Sequence, residues 1–285
     1  MRLATVRTGD GTEKPAVVDP KRGTFAVSDL LDTPPADTMR LLDPSTRALL
    51  EERLERLPAH AAPLGDQVRF TAPYRHPRKL WGIGLNYVDH ATDLSEVVPD
   101  EPASFMKGDH TIIGPGDEIP LPPQSGRVTA EAEMGLVIGR YCRDVAEEEA
   151  LDHLAGVTPV LDQTAEDILA RNPRFLTRSK NFPGFFSFGP HIVPLGELIE
   201  ANGRLADVEV ATVIDGEVRR ANTVSRMRYS PEFLISMHSR VMPLYPGDII
   251  YPGTPGAVPL SPGMVAECRI SGIASLRNPV VKAAG

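Results

Sequence analysis

The fold is decided by the stretch Arg127-Val128-Thr129-Ala130-Glu131-Ala132-Glu133-Met134-Gly135-Leu136-Val137-Ile138-Gly139, an apolar run that carries two glutamates. Alternate side chains of a strand share a face, so Glu131 and Glu133 project the same way, roughly 7 Å apart at their backbone origins. Two like charges beside an apolar run are unfavourable unless a cation neutralises them. Carboxylate ligands without sulfur or imidazole favour Mg²⁺, Mn²⁺ or Ca²⁺ over zinc. The alternative is an edge strand whose glutamates face water.

Composition is typical of a soluble globular protein with one large domain, or one domain and a smaller appendage. The 285 residues include 30 basic and 38 acidic side chains, a net charge of −8, so nucleic acid is not an expected partner. No apolar run approaches the roughly 18 residues of a membrane span, and the first residues show no apolar signal segment. Cys142 and Cys268 lack metal-ligand spacing, which predicts reduced thiols in a cytoplasmic protein.

Residues 1–70 are predicted to form a small N-terminal α/β domain without a chemical motif, ahead of a strand-rich domain at 71–285. The N-terminal domain contains a helix that Asp43 caps, with an apolar stripe of Leu49, Leu50, Leu54 and Leu57. In the larger domain, prolines and glycines separate short apolar runs, which indicates strands joined by turns. The pair Asp215-Gly216 gives the strongest hairpin signal.

Several segments in the larger domain resemble, in order, the fumarylacetoacetate hydrolase superfamily. They are Gly82-Ile83-Gly84-Leu85-Asn86-Tyr87-Val88-Asp89-His90, Pro102-Ala103-Ser104-Phe105-Met106-Lys107, Glu131-Ala132-Glu133, Gly156-Val157-Thr158-Pro159-Val160-Leu161-Asp162, Lys180-Asn181-Phe182 with Gly189-Pro190, Asp215-Gly216-Glu217-Val218-Arg219, and Pro246-Gly247-Asp248-Ile249-Ile250 with Gly253-Thr254-Pro255. Each segment is short, but their number and order make the resemblance specific. The resemblance implies an α+β, strand-rich fold with a mixed β-roll catalytic domain, assembled as a homodimer.

A metal site is the first implication of the resemblance, with Glu131, Glu133 and Asp162 as ligands of one divalent cation. Asp162 follows the apolar run at 156–161, and at the end of that strand its side chain can turn toward the two glutamates. Three carboxylates leave positions open on an octahedral ion, which suits Mg²⁺, with Mn²⁺ and Ca²⁺ as alternatives. A 2-oxo acid chelates such an ion through its carboxylate and keto oxygens. The expected partner is therefore a small-molecule 2-oxo acid substrate.

Catalytic roles also follow from the resemblance. His90 and Asp93 match a pair that activates water or moves a proton, and their spacing places both side chains on one face of a helical turn. The family has Glu at the second position, so Asp93 shortens the reach by one methylene, and Glu96 is an alternative partner. Lys180 matches a lysine that stabilises negative charge on an enolate or carboxylate.

Substrate contacts are expected from four further residues. Thr254, together with backbone amides such as that of Gly253, matches a group that binds the acid group of the substrate. Tyr87 and Lys107 are expected to line the same site, although structural support is an equal interpretation for Lys107.

One position departs from the family pattern. Glu166 stands where many members have an arginine that contacts substrate. An anion there would repel a second carboxylate on the substrate. The sequence therefore predicts a substrate other than a dicarboxylate, or a replacement charge from Arg171 or Arg178.

Three functions are compatible with these residues. The leading prediction is a divalent-metal-dependent hydrolase that cleaves a carbon–carbon bond in a β-diketo acid or acylpyruvate-type 2-oxo acid. The alternative on the same scaffold is enolate formation at the metal without attack by water, which gives a decarboxylase, an isomerase or tautomerase, or a hydratase. The third, of another class, is a metal-binding scaffold without catalysis.

Overall fold

Strands dominate the protein, whose computed structural model describes residues 1–65, 68–88 and 100–283. In chain order the strands are β1 (Arg2–Arg7), β2 (Glu13–Asp19), β3 (Gly23–Ala26), β4 (Arg69–Thr71), β5 (Leu80–Gly84), β6 (Ala103–Lys107), β7 (Ile112–Ile113), β8 (Ile119–Leu121), β9 (Val128–Ile138), β10 (Leu154–Ala165), β11 (Phe186–Phe188), β12 (His191–Ile192), β13 (Glu209–Ile214), β14 (Glu217–Thr223), β15 (Ile249–Tyr251), β16 (Val258–Pro259), β17 (Val265–Ile270) and β18 (Leu276–Lys282). The strand-rich α+β class predicted from the sequence is confirmed.

Helices are short and lie between the strands. The α-helices are α1 (Pro44–Glu55), α2 (Glu166–Arg171), α3 (Leu176–Lys180), α4 (Leu195–Asn202) and α5 (Pro231–Val241). Turns of 3₁₀-helix occupy Val27–Asp29, Thr38–Leu42, Asp109–Thr111, Glu147–His153, Pro173–Phe175, Leu205–Asp207 and Val224–Arg226. Within the described ranges, no helix is both long and apolar enough to cross a membrane.

A five-stranded sheet contains the N-terminal strands. β1 pairs with β2, β4 and β12, and β3 extends the sheet beyond β2. Since β12 comes from residues 191–192, backbone hydrogen bonds join this sheet to the later part of the chain. β4 spans the predicted boundary near residue 70, and the division into two domains stays a prediction.

The first helix begins behind an Asp43 cap, as predicted, and the carboxylate of this residue accepts two backbone N–H groups. The prediction of its apolar stripe is correct for two of the four leucines. Leu50 and Leu54 are buried, whereas Leu49 is 42% exposed and Leu57 is 36% exposed. Because the helix ends at residue 55, Leu57 falls outside it, and only the i, i+4 pair faces the core.

The central element of the larger region is β9. This strand pairs antiparallel with β10 on one side, and with β15 and β16 at different heights on the other. These pairings place β9 inside an eight-stranded sheet of order β6-β5-β15-β9-β10-β11-β7, with β16 beside β9. The edge-strand alternative for the two glutamates is therefore excluded.

The larger region has a second, five-stranded sheet of order β14-β13-β17-β18-β8, which is called the second sheet below. This sheet packs against β9. It contains the hairpin predicted at Asp215-Gly216, where both turn residues have positive φ, as a two-residue hairpin turn requires. Apolar side chains fill the space between the two sheets, among them Ala132, Leu136 and Ala266. β9 is therefore paired on both sides within its own sheet and packed against the other sheet, and it carries the site described next.

Candidate metal centre and active site

Three carboxylates meet on the neighbouring strands β9 and β10. Glu131 lies directly opposite Asp162 in the antiparallel register, and Glu133 lies two residues further along on the same face. Each residue offers an oxygen within 4.8 Å of the others. The expectation that Asp162 ends a strand is wrong, because β10 continues to Ala165. Strand pairing, rather than a turn at the strand end, directs this side chain toward the glutamates.

Two buried lysines lie against these carboxylates. Lys180, the last residue of α3, places its Nζ 2.6 Å from Asp162 Oδ2 and 3.0 Å from Glu131 Oε2. Lys107, at the end of β6, forms an ion pair with the other oxygen of Asp162 and donates to two backbone carbonyls. Lys180 thus faces the carboxylate cluster, whereas Lys107 also braces the backbone behind it.

Of the three carboxylates, Glu133 has the ionised form that its surroundings stabilise least. Burial, reinforced by Asp162 and Glu131, raises the pKa of Glu133 well above its ordinary value. Within the described residues it takes part in no ion pair. Burial opposes the charged form of Lys180, but Asp162 and Glu131 together outweigh it and raise the pKa of this ammonium. Burial lowers the pKa of Lys107 to about 8, with Asp162 opposing.

The loop after β15 borders the carboxylates. The Gly253 amide donates to Glu133 Oε2 at 2.6 Å, so it orients a candidate metal ligand. Gly253 has a φ of 113°, a left-handed conformation that favours glycine. Thr254 is buried, and its Oγ1 accepts from the Gly256 amide at 3.2 Å. Gly253 therefore lies beside Glu133, and Thr254 follows it in the same loop.

The segment after β5 is tied to this loop by Asn86, a residue that sequence reasoning missed as a site element. Its Nδ2 donates to Pro252 O at 2.8 Å and to Tyr229 O at 3.0 Å, and its Oδ1 accepts from the Tyr229 amide. The next residue, Tyr87, is buried, and its hydroxyl has no hydrogen-bond partner in the described part of the chain. Burial, with Glu133 adding, raises the pKa of Tyr87.

The predicted proton-transfer pair falls outside the described residues. His90, Asp93 and the alternative Glu96 all lie in the 89–99 segment. Their roles stay predictions from the sequence.

The position that departs from the family pattern is occupied by an ion pair. Glu166, the first residue of α2, accepts from Arg127 Nε at 2.6 Å. Of the two arginines considered as replacements, Arg171 pairs with Asp167 at 3.6 Å and Arg178 is exposed.

Two further polar residues complete the surroundings of the carboxylates. Thr164 donates to Glu131 Oε1 at 2.8 Å, and it lies two residues after Asp162 on the same strand face. The same alternation that groups the glutamates would have identified it. Tyr251 is fully buried, and burial, followed by Asp162 and Glu133, raises its pKa.

Comparison with known proteins agrees with this architecture. The sequence profile of the C-terminal domain of fumarylacetoacetate hydrolase matches residues 79–281. The chain belongs to the fumarylacetoacetate hydrolase family. The resemblance predicted from short motifs is confirmed for this family member, and the match spans the sheet that contains β9 and the sheet that packs against it.

Relatives of this family member have several activities. A mitochondrial oxaloacetate tautomerase of Homo sapiens is 34% identical over 224 residues, covering 75% of this chain and 70% of its own length. The 5-carboxymethyl-2-hydroxymuconate delta-isomerase from Mycobacterium smegmatis superposes with a TM-score of 0.77 at 28% identity, covering 100% of both chains. Maleylpyruvate hydrolase from Sphingobium sp. SYK-6 superposes with a TM-score of 0.79 at 27% identity, covering 99% of this chain and 100% of its own.

The donor set of this fumarylacetoacetate hydrolase family member fits a hard divalent cation. Its three carboxylates supply oxygen ligands only, and their oxygens are close enough to coordinate one ion. Within the described residues, the two lysines form ion pairs with Asp162 and Glu131 but not with Glu133, so a bound cation would add the positive charge that favours ionised Glu133. Glu131, Glu133 and Asp162 are therefore a site that can bind a divalent metal ion.

Proposed function

We propose that this protein is a divalent-cation-dependent enzyme that interconverts the keto and enol forms of an oxaloacetate-like 2-oxo acid. The observation that carries the proposal is the Lys180 ammonium, which lies within 3.0 Å of both Glu131 and Asp162. A lysine ammonium at the edge of a candidate metal site is suited to stabilise negative charge on a substrate oxygen. The 34% identity to an oxaloacetate tautomerase supports the same chemistry.

Glu131, Glu133 and Asp162 would hold Mg²⁺ or Mn²⁺. When bound, such an ion supplies Lewis acidity, which favours negative charge on the 2-oxo oxygen of the substrate. Three carboxylate ligands leave room for two substrate oxygens and water in octahedral coordination. A small 2-oxo acid, with adjacent carboxylate and keto oxygens, matches that requirement.

Lys180 acts as a fixed positive charge rather than as a base. Its ammonium lies against the carboxylates of Glu131 and Asp162, which favour the protonated form, so in this proposal it stabilises the oxygen of the enolate and does not take a proton from carbon. In this proposal His90, assisted by Asp93, moves the proton on carbon. The hydroxyl of Thr254 binds the carboxylate end of the substrate and fixes its orientation.

A spectroscopic assay tests this proposal. The enol of oxaloacetate absorbs in the ultraviolet, so enol decay can be followed in Mg²⁺ or Mn²⁺ buffer with and without protein. Asp162→Asn should lower the protein-dependent rate at least about 10²-fold, because one of three ligands and the partner of two lysines is lost. The exposed Glu209→Gln on β13 is a matched carboxylate control. Equal rates for wild type and Asp162→Asn would contradict the proposal.

A second candidate is hydrolysis of a carbon–carbon bond in an acylpyruvate, which the likeness to maleylpyruvate hydrolase favours. In this reaction His90 with Asp93 activates water for attack on the distal carbonyl, and Lys180 stabilises the enolate leaving group. A panel of acylpyruvates and oxaloacetate distinguishes the two reactions. His90→Ala should abolish hydrolysis and slow the tautomerisation in which His90 moves the proton, but it should leave decarboxylation of oxaloacetate, which needs no activated water. If the protein binds metal but turns over no member of the panel, the result would instead support the third function, a metal-binding scaffold without catalysis.

Assembly and location complete the proposal. A homodimer and a cytoplasmic location stay predictions from the sequence and from the family resemblance. Sedimentation analysis of the purified full chain tests the dimer directly.

A further inference from the structure

We infer that Thr212 is a positioning residue, which fixes both the Glu131–Glu133 segment and the Gly253–Gly256 loop. The inference rests on the proposed metal site and adds a residue from the second sheet. Thr212 belongs to β13 and is fully buried. Among the described residues, its hydroxyl forms hydrogen bonds with backbone groups and with none of the carboxylates or lysines described above, so its effect would pass through the backbone.

Part of β9 lacks a neighbouring strand on one side, so its backbone needs other hydrogen-bond partners there. β15 pairs with β9 at Val137 and Leu136, and β16 pairs with it at Ala130 and Thr129. Across the described residues, β9 has no ladder partner on this side between residues 131 and 135. The intervening chain, 252–257, leaves the sheet and forms the loop that contains Gly253 and Thr254. Backbone groups of the metal-ligand segment therefore need other partners.

Thr212 supplies one of these partners. The Ala132 amide, which lies between the two glutamates, donates to Thr212 Oγ1 at 3.0 Å. The same hydroxyl donates to Gly256 O at 3.4 Å. A hydroxyl can accept and donate at once, so one side chain links the glutamate segment to the loop. Valine has the same shape but offers neither bond.

The adjacent strand contributes a second contact to the same segment. Cys268 on β17 lies opposite Thr212 in the sheet register, and its Sγ lies 3.5 Å from Glu133 O. A thiol is a weak donor, so this contact is secondary. Two neighbouring strands of the second sheet thus place polar side chains under consecutive residues of the metal-ligand segment.

The Thr212 hydroxyl affects the geometry of the metal ligands. Losing the hydroxyl would leave the buried Ala132 amide without a partner and would free the backbone between Glu131 and Glu133 to shift. Partners that orient metal ligands typically change metal affinity about 10- to 100-fold when removed. The Gly253 amide bond to Glu133 would weaken with the loop, because Thr212 also holds that loop through Gly256.

Mn²⁺ binding by the metal-free full-length protein, measured by calorimetry, tests the inference without relying on turnover. Thr212→Val should weaken Mn²⁺ binding about 10- to 100-fold. Thr212→Ser keeps the hydroxyl and should stay near wild type. The matched control is Thr158→Val on β10, since Thr158 is equally buried and its Oγ1 has no hydrogen-bond partner in the described residues. This control should leave the affinity unchanged.

The outcomes separate the inference from the proposed function. If wild type binds Mn²⁺ and folded Thr212→Val binds it equally well, Thr212 has only a structural role and the inference is overturned. If wild type binds no Mn²⁺, the metal site itself is overturned, and the inference with it. If Thr212→Val is insoluble, the Thr212→Ser and Thr212→Ala pair, which differ by the hydroxyl alone, decides by the same criterion.

Discussion

Lys180 donates a 2.6 Å hydrogen bond to Asp162, and Lys107 occupies the other oxygen of the same carboxylate. Asp162 therefore has an ammonium at each oxygen, although it is also one of three candidate ligands for a divalent ion. Positive charge from a metal ion and from Lys180 must share one carboxylate cluster. Lys180 is therefore expected to weaken metal binding, because it competes for the carboxylates, and to promote catalysis, because it stabilises negative charge on the substrate.

Lys180→Met should separate these two effects. The loss of a competing cation should leave Mn²⁺ binding unchanged or tighter, whereas kcat should fall about 10²- to 10³-fold because negative charge on the substrate loses its partner. Calorimetry gives the first quantity and the tautomerase assay the second. Lys79→Met, which removes a half-buried lysine from its 2.6 Å ion pair with Asp248, is the matched control and should change neither. Full activity of Lys180→Met would refute the role given to this residue.

Metal binding should stabilise the fold. At a free Mn²⁺ concentration of about 100 times Kd, the native state gains about 2.7 kcal/mol. For a protein of this size the gain corresponds to a rise in Tm of roughly 5–10 °C. Glu133→Gln should remove the rise, and the exposed Glu209→Gln should retain it. Differential scanning calorimetry with and without Mn²⁺ measures both, and an undiminished rise in Glu133→Gln would argue against Glu133 as a ligand.

Glu166 is predicted to set the preference between monoacid and diacid substrates. Glu166→Arg replaces an anion by a cation and should raise kcat/KM for fumarylpyruvate relative to neutral acylpyruvates, by about tenfold for one well-placed charge pair. The substitution also breaks the ion pair with Arg127, so Arg127→Ala is the control for loss of that pair alone. A wild-type preference for the diacid that Glu166→Arg does not increase would contradict this prediction.

His191 predicts a loss of stability in mild acid. This residue of β12 is buried, neither ring nitrogen has a hydrogen-bond partner in the described residues, and burial, with a smaller contribution from Arg2, lowers its pKa to about 4. The unfolded chain takes up this proton near pH 6.5, but the folded protein does so only near pH 4. Stability is therefore complete above pH 6.5 and falls by up to about 3 kcal/mol as pH drops to 4.

Urea unfolding at pH 7.0, 5.5 and 4.5 measures this dependence. His191→Phe keeps the edge contact with Phe70 and should flatten the dependence. His60→Phe, at an exposed position, should keep the wild-type slope. An unchanged slope in His191→Phe would show that other groups cause the acid sensitivity.

Much of the site could be predicted because strand geometry is local. Alternation alone placed Glu131 and Glu133 on one face, and the family order supplied Asp162 as the third carboxylate. The end of β10 was misplaced because Gln163-Thr164-Ala165 is less apolar than the run before it. Those residues continue the strand, since their position opposite β9 satisfies their backbone groups.

Contacts between distant segments could not be predicted from one sequence. Thr212 reaches Ala132 across 80 residues, and Asn86 reaches Pro252 across 166. Both depend on which strands of the two sheets face each other, and no local pattern encodes that choice. The exposure of Leu49 has the same origin, because the direction that a short helix presents to the core is set by the sheet on which it packs.

The pairing of β12 with β1 has a consequence for shortened versions of the chain. A fragment beginning near residue 71 would leave His191–Ile192 with unpaired backbone groups and would uncover Phe188 and Val160, which share an apolar cluster with Leu3 and Phe25. A bare strand edge beside exposed apolar surface recruits other chains. β1 thus protects the edge of β12 and the apolar cluster from self-association, although none of the site residues described above belongs to this strand.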